Sequence, residues 1–113
     1  MAKERSAPGG LGMLLLSLLS EQDRYGYELI ETLRSRSNHV FDLKAGTLYP
    51  LLHTLERQNW VTSYDENAPG GRARRYYHIT EDGRRALSEQ REQWHSYTAA
   101  VEGVLEGGVL CGA

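Results

Sequence analysis

One cysteine, one phenylalanine, two methionines and three prolines among 113 residues leave little room for several kinds of chemistry. A lone thiol, Cys111, cannot close a disulfide within the chain, which makes a reducing compartment, the cytoplasm, the natural expectation. His39, His53, His78 and His95 show no metal-ligand spacing with one another or with Cys111, so no metal and no cofactor is expected. The longest apolar run, Leu11 to Leu19, is about nine residues, against the ~20 that a bilayer-spanning helix needs, and no small-residue cleavage site follows it. There is no phosphate-cradling glycine loop, no nucleophile with a recognisable base and no carboxylate pair in a cleft-like context, which argues against an enzyme.

A strong charge of either sign is also missing. The chain carries 13 Lys and Arg against 15 Asp and Glu, a net charge of −2, so bulk electrostatics alone would not draw it to a polyanion. The balance changes along the chain. Residues 1–43 carry five positive and six negative charges (−1), residues 44–85 seven and five (+2), and residues 86–113 one and four (−3). Phosphate neutralisation depends on local Lys and Arg, so the central third is the candidate contact surface. At 40% hydrophobic and 25% charged the composition is that of one ordinary globular domain, small enough that a partner subunit would help bury its surface.

That central third contains the most informative stretch. In Ala45-Gly-Thr-Leu-Tyr-Pro-Leu-Leu-His-Thr-Leu-Glu56, Leu48, Leu51, Leu52 and Leu55 fall at i, i+3, i+4 and i+7 and make one apolar stripe of a helix. Thr47, Tyr49, His53 and Thr54 then point elsewhere, with Lys44 and Arg57 at the flanks. Gly46 and Thr47 open the helix, which puts Pro50 in a first turn, where amides have no intrahelical acceptor. Trp60 to Tyr64 and Arg74 to Thr80 read as short strands around the turn-rich Asp65 to Gly71, a hairpin. Alternation sets Arg75, Tyr77 and Ile79 on one side and Arg74, Tyr76 and His78 on the other, so Arg75 shares its face with a packing residue. Arg72, Arg74 and Arg75 cluster beside the Gly-Gly tip, where guanidinium groups can approach a phosphate ladder. A helix with a short polar face beside such a hairpin suits the major groove of duplex DNA.

Around these lie simpler elements. Residues 1–10 read as a loose arm and Leu11 to Ser20 as a helix buried on several sides. Asp23 is expected to cap a helix from Arg24 to about Ser37 whose buried stripe is Tyr27, Ile30 and Leu33. Thr80 caps a last helix with Glu81 and Asp82 in its first turn. There Leu87, Trp94 and Val101 recur every seven residues and Gln90, Tyr97 and Val104 follow each by three, an a/d seam suited to a second helix. Gly107 and Gly108 end it. Tyr25, Tyr27, Tyr76 and Tyr77 read as packing residues whose hydroxyls reach water or phosphate, and Trp94 as either seam filler or a shelf for a planar ligand.

Three blocks in order, Tyr25-Gly-Tyr-Glu-Leu-Ile30, Gly46-Thr-Leu-Tyr-Pro-Leu-Leu-His-Thr-Leu-Glu56 and Gly71-Arg-Ala-Arg-Arg-Tyr-Tyr-His-Ile-Thr-Glu-Asp-Gly83, resemble the PadR family of winged-helix transcriptional regulators, in its short subfamily with a single C-terminal helix. The resemblance runs from about Leu11 to Leu105. It departs at Asn59-Trp60, where the family more often has glycine and an aliphatic residue, and in the short tail after Glu106. The fold it implies is mainly α with a two-stranded β-hairpin wing. It divides the chain into an arm (1–10), a winged helix-turn-helix (11–80), a C-terminal dimerisation helix (81–106) and a tail (107–113).

The implied function is a dimeric, DNA-binding repressor on a palindromic operator, relieved by a small aromatic or hydrophobic effector. Its implied DNA-binding residues are Tyr25, Lys44, Gly46, Thr47, Tyr49, Pro50, His53, Arg72, Arg74, Arg75 and Tyr76. Its dimer or effector residues are Leu15, Leu87, Trp94, Tyr97, Val101 and Val104. The alternative is a winged-helix module that binds protein and does not touch DNA.

Overall fold

The computed structural model describes residues 10–107. Most of the loose arm, the tail beyond Gly107 and Cys111 lie outside the described residues. Helix α1 (Leu11–Glu21) is the axle of the core. Its Leu15, Leu16 and Leu19 are essentially inaccessible and Met13 and Leu18 nearly so, as an element apolar on most sides requires. No helix among the described residues is long and apolar enough to cross a membrane.

The next segment corrects the expected helix start. Arg24 and Tyr25 form a two-residue strand, β1 (Arg24–Tyr25), and only then does α2 (Gly26–Arg36) begin. Arg24 pairs with Tyr77 and Tyr25 with Tyr76, so the wing hairpin gains a third strand. The buried Arg24 guanidinium reinforces the extended conformation by donating to the Leu18 carbonyl at 3.1 Å and to Glu21 at 2.8 Å. Asp23 therefore caps no helix. The cap position falls to Tyr25, whose amide donates to Glu28 at 3.2 Å. Its buried residues are Gly26, Leu29 and Leu33, with Ile30 half-buried against the core as expected, while Tyr27 is 62% exposed where burial was expected.

Helix α3 (Ala45–Arg57) buries Leu48, Leu52 and Leu55 and half-buries Leu51, the stripe expected from the leucine spacing. It starts at Ala45, so Pro50 is its sixth residue and lies beyond the first turn. Pro50 withholds a bond from the Gly46 carbonyl and sets its ring against that residue. Gly46 is exposed and has no side chain, which leaves room for the ring and opens this turn to solvent.

Asn59 ends the helix at φ 65°, the left-handed turn for which a glycine is the usual choice and which asparagine tolerates. Strands β2 (Val61–Asn67) and β3 (Ala73–Ile79) follow, longer than expected, because Asp65, Glu66 and Asn67 continue the ladder opposite Arg75, Arg74 and Ala73. The sheet order is β1-β3-β2, all antiparallel. Val61, Tyr77 and Ile79 are buried against the helices.

Thr80 caps α4 (Glu81–Leu105), its hydroxyl accepting from the Gly83 amide at 2.9 Å and donating to the Asn59 carbonyl at 2.7 Å. Only the first turns of α4, at Gly83, Ala86 and Leu87, join the core. The rest runs on beyond it and stretches the molecule to 62 × 30 × 25 Å.

Candidate nucleic-acid interface

The outer face of the hairpin is a layer of tyrosines. The register sets Tyr25, Tyr76 and Tyr64 side by side across β1, β3 and β2. The Tyr25 and Tyr76 rings meet edge to face at 5.4 Å between centroids, and Tyr76 stacks on Tyr64 at 5.7 Å with 15° between planes. The Arg74 guanidinium lies 4.4 Å from the Tyr25 ring centroid. Arg72 and Arg74 are exposed. Arg75 occupies the opposite face, where it donates to Asp65 at 3.2 Å, and that hydrogen bond, with the partner's charge, holds its guanidinium pKa above the ordinary value. Both side chains of that pair are 58% exposed, so the bond is one that water and salt contest. The tip turns through Gly70 and Gly71, both at positive φ, where a side chain would be strained.

Helix α3 stands next to this layer, tied to β2 by the Ser63 hydroxyl donating to Glu56 at 2.8 Å. Lys44, Gly46, Thr47, Pro50, His53 and Thr54 are all exposed. Tyr49 is 41% exposed, but its ring reaches back over the start of α2, where a Cβ built on Gly26 would stand 2.8 Å from Tyr49 Cζ. Gly26 thus makes room for Tyr49, and Tyr25, one residue earlier, carries Arg74. The first turn of α2 joins the polar helix face to the arginine hairpin.

Sequence reasoning missed three residues here. The Asp23 carboxylate takes the Tyr64 hydroxyl at 2.7 Å on one oxygen and meets His78 Nδ1 at 2.8 Å with the other. Partial burial alone would raise the Asp23 pKa, but the bonds from Tyr64 and His78, with the charges of His78 and Arg84, hold it below the ordinary aspartate value. In turn the bond to Asp23 pushes the Tyr64 hydroxyl up to about 12. Period-2 alternation already puts Tyr76 and His78 on one face, and that was the available signal; the place of Tyr64 beside them follows from the strand register.

At the other end, the residues expected at a dimer seam separate into two groups. Leu15 and Leu87 are in the chain's own core, at 0% and 6% exposure, so they are not open to a second subunit. Trp94, Tyr97 and Val104 are exposed, Val101 is half-buried, and the Trp94 and Tyr97 rings lie 6.1 Å apart.

A family model described as the transcriptional regulator PadR-like family matches residues 15–89, which span α1, α2, α3, the hairpin and the start of α4. The chain belongs to the PadR-like family of transcriptional regulators. Among the described residues its PadR-like architecture is a winged helix of four helices with a small three-stranded sheet, and its class is a DNA-binding regulator of transcription, not an enzyme. An uncharacterized protein of Lysinibacillus sphaericus is 34% identical over 99 residues, covering 88% of this chain and 91% of that one. The transcriptional regulator YqjI of Escherichia coli is 34% identical over 102 residues, or 90% of this chain, which spans only 47% of YqjI's length. The crystal structure of a PadR-like transcriptional regulator from Bacillus cereus superposes with a TM-score of 0.74 at 28% identity, over 84% of this chain and 90% of the other.

Proposed function

We propose that this PadR-like chain is a cytoplasmic homodimeric repressor. In this reading residues 11–80 form the DNA-reading unit and residues 81–106 the dimerising helix. Each α3 enters a major groove through Thr47, Tyr49, Pro50 and His53, and Lys44, Gly46 and Tyr25 meet the neighbouring backbone. Arg72 and Arg74 grip flanking phosphates, with Tyr76 beneath them, and Arg75 joins when Asp65 releases it. The observation that carries this reading is the adjacency of an outward polar helix face and an arginine-bearing hairpin, joined through Tyr25 and Gly26. Most contacts would go to phosphate and sugar, which fix register, while a few side chains on α3 read bases.

Dimerisation through Trp94, Tyr97, Val101 and Val104 is supported by their common stripe, and by the exposure of all but half-buried Val101, on a helix that outruns its own core. A two-fold pair would present two recognition helices about 34 Å apart, matching half-sites of a palindromic operator. A small aromatic or hydrophobic effector between the Trp94 rings would release DNA by favouring another spacing, to the extent that it binds that state better.

The test is a mobility-shift titration on the gene's own upstream region across a salt series, with sedimentation of the free protein. Retardation that weakens steeply as salt rises, by a dimer, is expected. Absence of retardation at low salt, or retardation indifferent to salt, defeats the reading. Arg72→Ala with Arg74→Ala should lower affinity for all sequences alike and make the salt slope shallower by about two.

A further inference from the structure

We infer that Asp23 is a positioning residue for the wing, a buckle that fixes the arginine hairpin against the helical body. The inference rests on the DNA-binding reading above. Asp23 belongs to the short link between α1 and β1, yet its two carboxylate oxygens engage the two wing strands separately, Tyr64 of β2 at 2.7 Å and His78 of β3 at 2.8 Å. Tyr64 lies opposite Tyr76 and His78 opposite Thr62, so the carboxylate spans a diagonal of the hairpin on its outer face.

No other side chain in the described residues bonds that link to both strands. The β1 ladder meets β3 at Tyr76 and Tyr77, the Ser63 hydroxyl joins β2 to Glu56 of α3, and buried Val61, Tyr77 and Ile79 seat the inner face of the hairpin on the core. Those contacts hold the base and the inner face, and leave the outer face to Asp23 and the tyrosine layer. The Asp23 bonds close a triangle between the link, β2 and β3, and the stack of Tyr64, Tyr76 and Tyr25 carries that constraint to the guanidinium of Arg74. Charge-assisted bonds are the strong class, and they hold direction as well as distance.

Asp23→Ala keeps every cation of the wing and removes the buckle together with one negative charge, whose loss by itself would favour DNA, so a fall in affinity reports the buckle. Its DNA affinity is expected to fall on the order of tenfold, the scale of a lost charge-assisted hydrogen bond, and its salt slope to become shallower, as if wing arginines had been deleted. Tyr64→Phe, which removes one hydroxyl, should shift both quantities in the same direction by less. Combining Asp23→Ala with Arg74→Ala should cost less than the sum of the two, since both remove one contact.

Circular dichroism melts establish that each variant is folded. Should Asp23→Ala fail to fold, Tyr64→Phe and its combination with Arg74→Ala carry the same comparison. Wild-type affinity and slope in the variants overturn the inference, and so does weaker binding with an unchanged slope, because a loss of folded protein lowers the active fraction without altering the number of phosphates met. Salt-dependent binding by the wild type in the same series keeps the DNA reading intact whichever way the variants fall. A wild type that does not bind overturns both.

Discussion

The guanidinium of Arg74 sits 4.4 Å from the centroid of the Tyr25 ring, although the two residues are separated by α2, α3 and most of the hairpin. An exposed arginine ordinarily loses side-chain entropy when it binds a phosphate, and resting on a ring removes part of that loss beforehand. The ring also cannot neutralise the cation as a carboxylate would. Asp65 does neutralise Arg75, and so the two adjacent arginines of one strand differ in readiness.

Tyr25→Leu should therefore weaken DNA binding about two- to fivefold, the scale of an exposed cation–π contact, while Tyr25→Phe keeps the ring and stays near wild type. Fluorescence anisotropy with a labelled operator fragment distinguishes them. Equal affinities for the Leu and Phe variants would show that the ring does nothing for Arg74.

Gly26 and Tyr49 form a second coupled pair. A methyl group at position 26 would stand 2.8 Å from Tyr49 Cζ, closer than real side chains allow, yet the obstacle is a ring that can rotate away. Gly26→Ala is expected to cost about 1 to 2 kcal/mol of stability, toward the low end of overpacking penalties. With Tyr49→Ala already present, the same substitution should cost close to nothing, a non-additivity expected of residues in contact. Urea unfolding of the two single variants and the double variant measures it, and strictly additive midpoints would refute the coupling.

Helix α3 was legible from the sequence because four leucines at helical spacing leave one face for the core, and β3 because Arg75, Tyr77 and Ile79 alternate with Arg74, Tyr76 and His78. Strand β1 was not, for a physical reason: two residues carry no period, and their extended conformation is imposed by Tyr76 and Tyr77 and by the buried contacts of Arg24. Missing β1 moved the start of α2 and gave Asp23 the role of a cap, and the stripe expected there held at Leu33 and Ile30 but not at Tyr27. The two-fold bonding of Asp23 could not be read locally, since its partners lie far along the chain. Asn59 looked like a departure where family members carry glycine, and its φ of 65° shows it in the conformation glycine would supply.

Gly83, the third residue of α4, faces a harder obstacle than Gly26. A Cβ there would stand 3.0 Å from the carbonyl carbon of Trp60, whose oxygen is already taken by the Thr80 amide, and 2.8 Å from Ile79 Cγ1. Alanine is favoured over glycine in a helix by about 1 kcal/mol, while overpacking against backbone costs about 1 to 3 kcal/mol, and here the backbone cannot turn aside. Gly83→Ala should thus lose up to about 2 kcal/mol net, against a gain at half-buried Gly103, where nothing lies in the way of an added methyl. Thermal or urea denaturation of the two variants gives opposite signs if the junction is as tight as its geometry states.

The Asp23–Tyr64 pair also sets the pH window of the wing. In the folded chain the Asp23 pKa lies below its ordinary value of 3.8, so its contribution to stability is complete above that value and disappears as pH falls through the lowered one. Tyr64 is displaced in the opposite sense, from 10.0 up to about 12, so its contribution is complete below about pH 10 and disappears as pH climbs toward 12. Between those limits the pair adds no pH dependence, and it weakens only in acid below 3.8 and in alkali above 10. Glu21, held below its ordinary 4.5 by the hydrogen bond from Arg36, with Arg24 adding to it, steepens the acid limb further. Spectrophotometric titration of tyrosine ionisation should find Tyr64 resisting deprotonation until about pH 12 in the wild type, beside Tyr77, which burial also raises, and only the Tyr64 component returning toward 10 in Asp23→Ala. Identical alkaline titration curves for the two proteins would mean that the Tyr64 hydroxyl does not bond Asp23 in solution.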